Sequence, residues 1–259
     1  MTSKSGSLSS FLARAPMNLL AFETATEACS VALWIDGEVR ERFEIAPRRH
    51  AELSLPWAEQ LLVEAGLAKS QLDAVAVGRG PGAFTGVRLA IALAQGIALA
   101  LDRPVVPVST LAALAARAFA HPPAVAGEGA MHILAAIDAR MGEIYTAAFV
   151  REGDDLRALS KEIVATPDSV ELPAGMDDWH GVGTGFAALD GRLQTRLHAS
   201  LLHVDANALP HAADVARLAV PAFARGEALA PEHLQPAYLR DNVALTLEEQ
   251  KALRASRQP

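Results

Sequence analysis

Cysteine is nearly absent from these 259 residues: Cys29 is the single one, so neither an intrachain disulfide nor a multi-cysteine zinc site can form. Basic charge is also short. Twenty-three Lys and Arg face 30 Asp and Glu, and the net charge of −7 disfavours a broad electrostatic grip on nucleic acid, leaving room only for a local arginine-rich patch. No long apolar run is present. The most apolar segment, residues 89–101, is bounded by Arg88 and Asp102, is interrupted by Gln95, and falls short of the ~20 residues that a membrane span needs. The opening stretch MTSKSGSLSSFLARAP lacks the apolar core of a secretory signal. Residues 1–16 are therefore expected to be a disordered leader, with Met17 as the working start, and residues 245–259 a flexible tail.

What is present is an ordinary globular composition, 51% hydrophobic and 20% charged, long enough for one large domain or two lobes. MNLLAFE ends an apolar run in an acid, Glu23; ACSVALWID and the segment from Glu38 to Ile45 alternate on either side of Asp36-Gly37, which predicts three strands. Leu53, Trp57, Leu61 and Leu62 recur at helical spacing over 50–65, with Gly66 as the stop. A strand over 74–77, a long helix over 84–101, a strand over 105–108 and a helix capped by Ser109 or Thr110 follow. The pattern then restarts: MHILAAID ends in Asp138, EIYTAAFV alternates, and 156–165 reads as one further strand. A short helix near 167–172, a strand near 179–182 and a helix near 212–224 complete it. A repeat of this length is too long for a solenoid and fits two similar α/β lobes, 17–110 and 111–244, the last helix packing back toward the first lobe. Duplicated βββαβα units of this kind are the arrangement of the two-lobed actin-like (ASKHA, ribonuclease H-like) fold.

GRGPGA at 78–83 matches a dinucleotide-binding G-x-G-x-x-A formally, but it follows the fourth strand, Pro81 removes a donor, and Asp102 lies in a loop rather than at a strand end. A P-loop matches less well still, since no Lys follows Gly86. The turn reads equally as an anion-binding or partner-contacting feature, since it opens a helix, and as a purely structural turn. The eight histidines form no H-E-x-x-H pair, and Cys29 has no neighbouring base, so no metal ligands or nucleophile are assigned. Glu23 and Asp138 each end an apolar strand beside the expected cleft, as acid/base groups or as hydrogen-bonded turn residues. Helix 84–101 is apolar nearly all round, which predicts burial either wholly in its own core or partly against another subunit.

In order and spacing, LLAFETATEACSVALW, PRRHAELSLP, VGRGPGAFTGVRLAIALAQGIALAL, VSTLAALA, AAIDARMGEIY, GVGTG and PAYLRDNVA resemble the landmarks of the TsaB (YeaZ) family from Met17 to about Ala244. The resemblance implies a cytoplasmic, non-catalytic subunit that supports threonylcarbamoyl transfer to the adenosine beside the anticodon of tRNAs reading codons that begin with A. It implies TsaD as catalytic partner, TsaE as a further subunit, a homodimer when alone, and contact with tRNA only through the complex. It assigns no cofactor to this chain and allows ATP or ADP within the assembly. The candidate nucleotide or anion contacts are Glu23, Thr24, Thr26, Gly80, Gly82, Thr85 and Asp138; the candidate subunit interface is Leu53, Trp57, Leu61, Arg88, Ala90, Ile91, Ala94, Ile97 and Ala98. Ala25 stands where many actin-like kinases have a smaller or hydroxylated residue, and its side chain argues against autonomous ATP hydrolysis. An actin-like small-molecule kinase and a glycoprotease-like peptidase are the alternatives.

Overall fold

Strands β1 (Asn18–Glu23), β2 (Ala28–Ile35), β3 (Glu38–Ile45), β4 (Ala74–Gly78) and β5 (Val105–Val108) form one sheet in the order β3-β2-β1-β4-β5. Strands β6 (Met131–Arg140), β7 (Glu143–Glu152), β8 (Asp155–Ala158), β9 (Ile163–Ala165), β10 (Trp179–Val182) and β11 (Leu201–Asp205) form a second, ordered β11-β10-β6-β7-β8, with β9 also paired to β7. Followed from its last strand, the second order repeats the first. In each sheet, antiparallel hairpins lead into parallel strands, reached through helical crossovers in the first sheet and through a 3₁₀ turn and then one helix in the second. This is the duplicated two-lobed actin-like fold. The structure is a computed structural model, and it describes residues 17–118, 130–153 and 155–240. The expected leader, the tail and the end of the helix after Thr110 lie outside the described residues.

The helices are α1 (His50–Glu64), α2 (Phe84–Leu101), α3 (Thr110–Arg117), α4 (Ala188–Leu197) and α5 (Ala212–Ala224). Period-two alternation in β1, β2 and β4 divides their side chains by size. Leu20, Phe22, Val31, Leu33, Val75 and Val77 meet α1 and α2 on one face. Leu19, Ala21, Ala32, Ala74 and Ala76 meet α5 on the other, where alanines on both partners allow close approach. Strand β2 is consequently buried on both faces over Ala28–Trp34 rather than half-solvated as its alternation suggests.

Two helices tie the halves together. After β5, α3 lays Leu111, Leu114 and Ala115 on the second sheet, while α5, reached after β11, returns to the first. The N-terminus of α5 is capped from a distance: the Ala212 amide donates to Ser30 Oγ (2.8 Å) and the Ala213 amide to Glu41 Oε1 (3.0 Å). His211 Nδ1 lies 2.9 Å from Glu41 Oε2, and its ring stacks on Phe43 at 3.9 Å. These contacts hold the carboxyl of Glu41 below its ordinary range against the opposing effect of burial, the largest single influence on it.

In the second half two sequence expectations need correction and two elements are unforeseen. The single strand over 156–165 is two, because Ser160 turns its hydroxyl back to accept from the Ala148 amide (2.9 Å) and breaks the ladder. The helix near 167–172 shrinks to a 3₁₀ turn at Pro167–Ser169. Helix α4 and strand β11 have no counterpart among the expected elements: the sequence ALDGRLQTRLHASLLHVD is polar, and β11 is largely exposed.

Candidate functional site

The end of β1 and the turn after β4 meet at the top of the first sheet. Glu23 is fully buried there, with the Ala25 amide donating to Oε1 (2.7 Å) and the Thr110 hydroxyl donating to Oε2 (3.0 Å). Thr110 Oγ1 in turn accepts from the Gly80 amide at 3.2 Å. Burial pushes the Glu23 carboxyl up to about 7 despite those donors. The carboxylate rests directly on Gly78, where a Cβ would stand 1.9 Å from Oε2.

The GPGAFTG turn lies directly against the turn that follows Glu23. The Ala83 amide donates to the Ala25 carbonyl (2.7 Å), and the Thr24 hydroxyl donates to the Gly86 carbonyl (2.7 Å). A Cβ on Gly82 would meet the Ala25 carbonyl oxygen at 2.4 Å, and one on Gly86 the Thr24 oxygen at 1.9 Å. These glycines are needed for contact between two stretches of backbone. The Ala25 amide at the hairpin bend is committed to the chain's own carboxylate. Glu23, Thr24 and Gly80 are therefore buried and offer nothing to a ligand, which corrects their candidate role. Thr85 sits on the outer surface at the start of α2.

Thr26, Gly82 and Asp138 do come together, on a cleft of about 1170 Å³ between the two sheets. Asp138 accepts from the Arg140 amide and from Arg140 Nη1, both at 2.8 Å, and its own amide donates to Thr184 Oγ1 (3.1 Å). The GVGTG turn is packed onto β6, since a Cβ on Gly183 would lie 2.3 Å from the Ala136 carbonyl oxygen. The cleft is lined by residues that the sequence reading does not single out, among them Arg48, His50, Phe84, Arg140, Tyr145, Tyr238 and Arg240. PRRH, AAIDARMGEIY and PAYLR carry most of these, but nothing in their spacing shows that they converge.

The lobes are joined across this cleft by two sets of contacts. Arg79 makes a two-pronged pair with Glu162, both N–O distances 3.2 Å. The segment 231–240 runs from one lobe to the other: Gln95 Nε2 donates to the Pro231 carbonyl (2.9 Å), the Ala237 amide donates to the Arg79 carbonyl (2.8 Å), and Arg240 Nη2 reaches the Ala139 carbonyl (3.2 Å) and Glu143 Oε2 (2.5 Å).

Of the residues expected at a subunit interface, several belong to the core. Ala90, Ala94 and Ala98 are each 0% exposed, and with Ile91 and Leu61 they pack on the chain's own first sheet. Small residues permit that close approach of α2 to the sheet, so the alanine stripe belongs to the core. Leu53, Trp57 and Ile97 are half-buried and Arg88 is exposed. The outward stripe of α2 is instead Leu89, Ala92, Gly96 and Leu99, with Leu55 and Val63 exposed on α1. By length and composition α2 is apolar enough to cross a membrane, but its inner stripe is occupied by the core. Among the described residues no group of three His, Cys, Asp or Glu side chains converges as metal ligands would.

A family model described as "TsaD: tRNA N6-adenosine threonylcarbamoyltransferase" matches residues 43–247. The chain is 41% identical over 235 residues to the tRNA threonylcarbamoyladenosine biosynthesis protein TsaB of Escherichia coli, covering 88% of this chain and 96% of that protein. The chain belongs to the TsaB (YeaZ) family. The family's protein from Haemophilus influenzae is 38% identical over 235 residues, covering 88% and 95% of the two chains. The solved structure of YeaZ from Pseudomonas aeruginosa, 44% identical, superposes with a TM-score of 0.76 and covers 86% of this chain and 100% of that one. Family membership accounts for the duplicated sheets and for the GRGPGAFTGVR and AIDARMGEIY segments that meet across the cleft.

Proposed function

We propose that this chain is a non-catalytic subunit of the cytoplasmic complex that places threonylcarbamoyl on the adenosine next to the anticodon in tRNAs reading codons that begin with A. The observation that carries this reading is the near-full-length likeness to proteins named for that biosynthesis, both halves of the fold included. The geometry agrees with a supporting role. At the bend where actin-like kinases grip phosphate, the Ala25 amide serves Glu23 and the GPGAFTG backbone fills the adjoining space. That arrangement also counts against the kinase alternative.

In this reading the chain pairs with the TsaD subunit, works with TsaE, and forms a homodimer when alone. The pairing surface is the outward apolar stripe of α1 and α2, where Ala92 and Gly96 let another helix approach closely. The lobes divide near residues 110 and 111, with α5 returned to the first. The test is reconstitution: TsaD and TsaE from the same organism, assayed for tRNA modification with and without this chain. Activity that depends on the chain, with none from the chain alone, supports the proposal. Equal activity in its presence and absence rejects it.

A further inference from the structure

The charge around the interlobe cleft runs against the charge of the molecule. The chain carries a net −7, yet the cleft is lined by four arginines, Arg48, Arg88, Arg140 and Arg240, against two carboxylates, Glu27 and Asp138. Asp138 is already paired with Arg140. Arg240 is spent on the Ala139 carbonyl and Glu143, so it builds the wall rather than facing a ligand. Three guanidinium groups keep free donors. No hydrogen bond or ion pair engages Arg48 among the described residues. Arg88 uses Nε on the Tyr238 hydroxyl (2.7 Å) and lies over Phe84, 3.6 Å from the ring centroid, with its terminal amino groups unused. Arg140 is 80% exposed beyond its bond to Asp138.

Aromatic surface adjoins these donors. Phe84 and Tyr238 stack with centroids 6.1 Å apart and are 53% and 52% exposed, on the wall of the same cleft. The Arg88 guanidinium lies over both rings, 3.6 Å from the Phe84 centroid and 5.5 Å from that of Tyr238, and about half of each ring residue stays open to the cleft. Cationic side chains beside partly exposed aromatic rings in one groove are the chemistry of single-stranded nucleic acid, phosphates on the guanidinium groups and bases against the open ring surface. A cleft of about 1170 Å³ has room for a few nucleotides of one strand. We propose that this cleft takes a single-stranded stretch of RNA, its phosphates on Arg48, Arg88 and Arg140 and a base against Phe84 and Tyr238. The choice of RNA over another polyanion rests on the functional reading above and departs from its expectation that RNA is met only through the complex; the site itself rests on the arginines and rings.

The test measures binding of a short fluorescent oligoadenylate, and of an unmodified anticodon stem–loop RNA, to the full chain by anisotropy across a series of salt concentrations. Arg48 and Arg140 both have left-handed backbone, φ 70° and 62°, so Asn, which tolerates that region, is the substitution least disturbing to the fold. The double variant Arg48→Asn/Arg140→Asn is expected to bind more weakly on both RNAs. It should also lower the slope of log affinity against log salt by about 1.4, the value for two fewer phosphates neutralised on a single strand. Arg48→Lys/Arg140→Lys is expected to restore the slope. An unchanged affinity and slope in the Asn variant overturns the proposal. So does ATP binding to the wild-type cleft in the absence of any RNA binding, which would assign the site to free nucleotide. Co-elution of the same variants with TsaD separates the two readings: pairing retained with the RNA slope unchanged removes the cleft proposal alone. Failure of the wild-type chain to pair or to support modification removes the functional reading, while anisotropy on the isolated chain still decides the cleft.

Discussion

Gly86, in the first turn of α2, lies so close to Thr24 that a Cβ on it would stand 1.9 Å from the Thr24 carbonyl oxygen. The two turns are packed directly on each other, and that contact depends on a glycine at this position. Replacing Gly86 with Ala forces backbone apart and breaks the 2.7 Å bond from the Thr24 hydroxyl. The expected loss is about 3 kcal/mol, at the upper end for an overpacked core, measured by urea unfolding. A change under about 0.5 kcal/mol would mean that the turns do not touch.

Glu23 makes a pH prediction with a definite sign. Its carboxyl is raised from 4.5 to about 7 by burial, so the folded chain holds this proton more tightly than the unfolded chain does. The stabilisation from this group is fully present below about pH 4.5 and is lost as pH rises through about 7. The difference is on the order of 3 kcal/mol. Glu23→Gln keeps the shape and cannot ionise. Its stability relative to wild type should therefore rise across that window, and parallel pH profiles for the two proteins would refute the assignment.

Two arginine substitutions on α2, only two residues apart in sequence, should part company. Ala94 is 0% exposed against the first sheet, so Ala94→Arg is expected to cost more than about 3 kcal/mol and to abolish folding rather than pairing. Gly96 has open space where its Cβ would be, and Gly96→Arg replaces a poor helix former. That variant should melt no lower than wild type yet fail to co-elute with TsaD. Circular dichroism and size-exclusion chromatography read both outcomes.

The long-range cap on α5 is testable from both of its members. Ser30→Ala removes the acceptor for the Ala212 amide and should cost about 1 kcal/mol. Glu41 is held below its ordinary value of 4.5, so its contribution is present above that pH and is lost as pH falls through its depressed value. Glu41→Gln should therefore lose stability at neutral pH and flatten the acid limb of the unfolding curve, a slope visible in thermal melts taken from neutral pH into the acid range.

Where sequence and structure agree, the signal is local. The α2 bounds from Phe84 to Leu101 follow from an unbroken apolar helix after a glycine-rich turn, and Ser109 is one of two expected caps; its hydroxyl accepts from the Ala112 amide at 3.1 Å. The strands of both hairpins are legible because each alternates around a turn residue. Helix α4 escapes a reading of the sequence because it is polar on average and opens on left-handed residues at 189–191, and β11 does so because it is a largely exposed edge strand, where little burial constrains its composition. The site divides in the same way. Glu23 and Asp138 can be seen to end equivalent strands, but only contacts over more than sixty residues, such as Thr24 to Gly86, show that one is sealed and the other faces a cleft.

By itself the sequence determined the duplicated order of strands and helices, the apolar stripes, and the segments GRGPGAFTGVR and AIDARMGEIY that place the chain in its family. Those are properties of neighbours along the chain, set by backbone geometry and the periodicity of side chains. The tertiary structure decided which stripe of α2 faces inward, which glycines are contact points, and that Arg48, Arg88, Arg140 and Tyr238 share one cleft. Such matters depend on packing between residues far apart in the chain, and close packing has no local signature: an alanine against a sheet and an alanine against a partner are spelled alike.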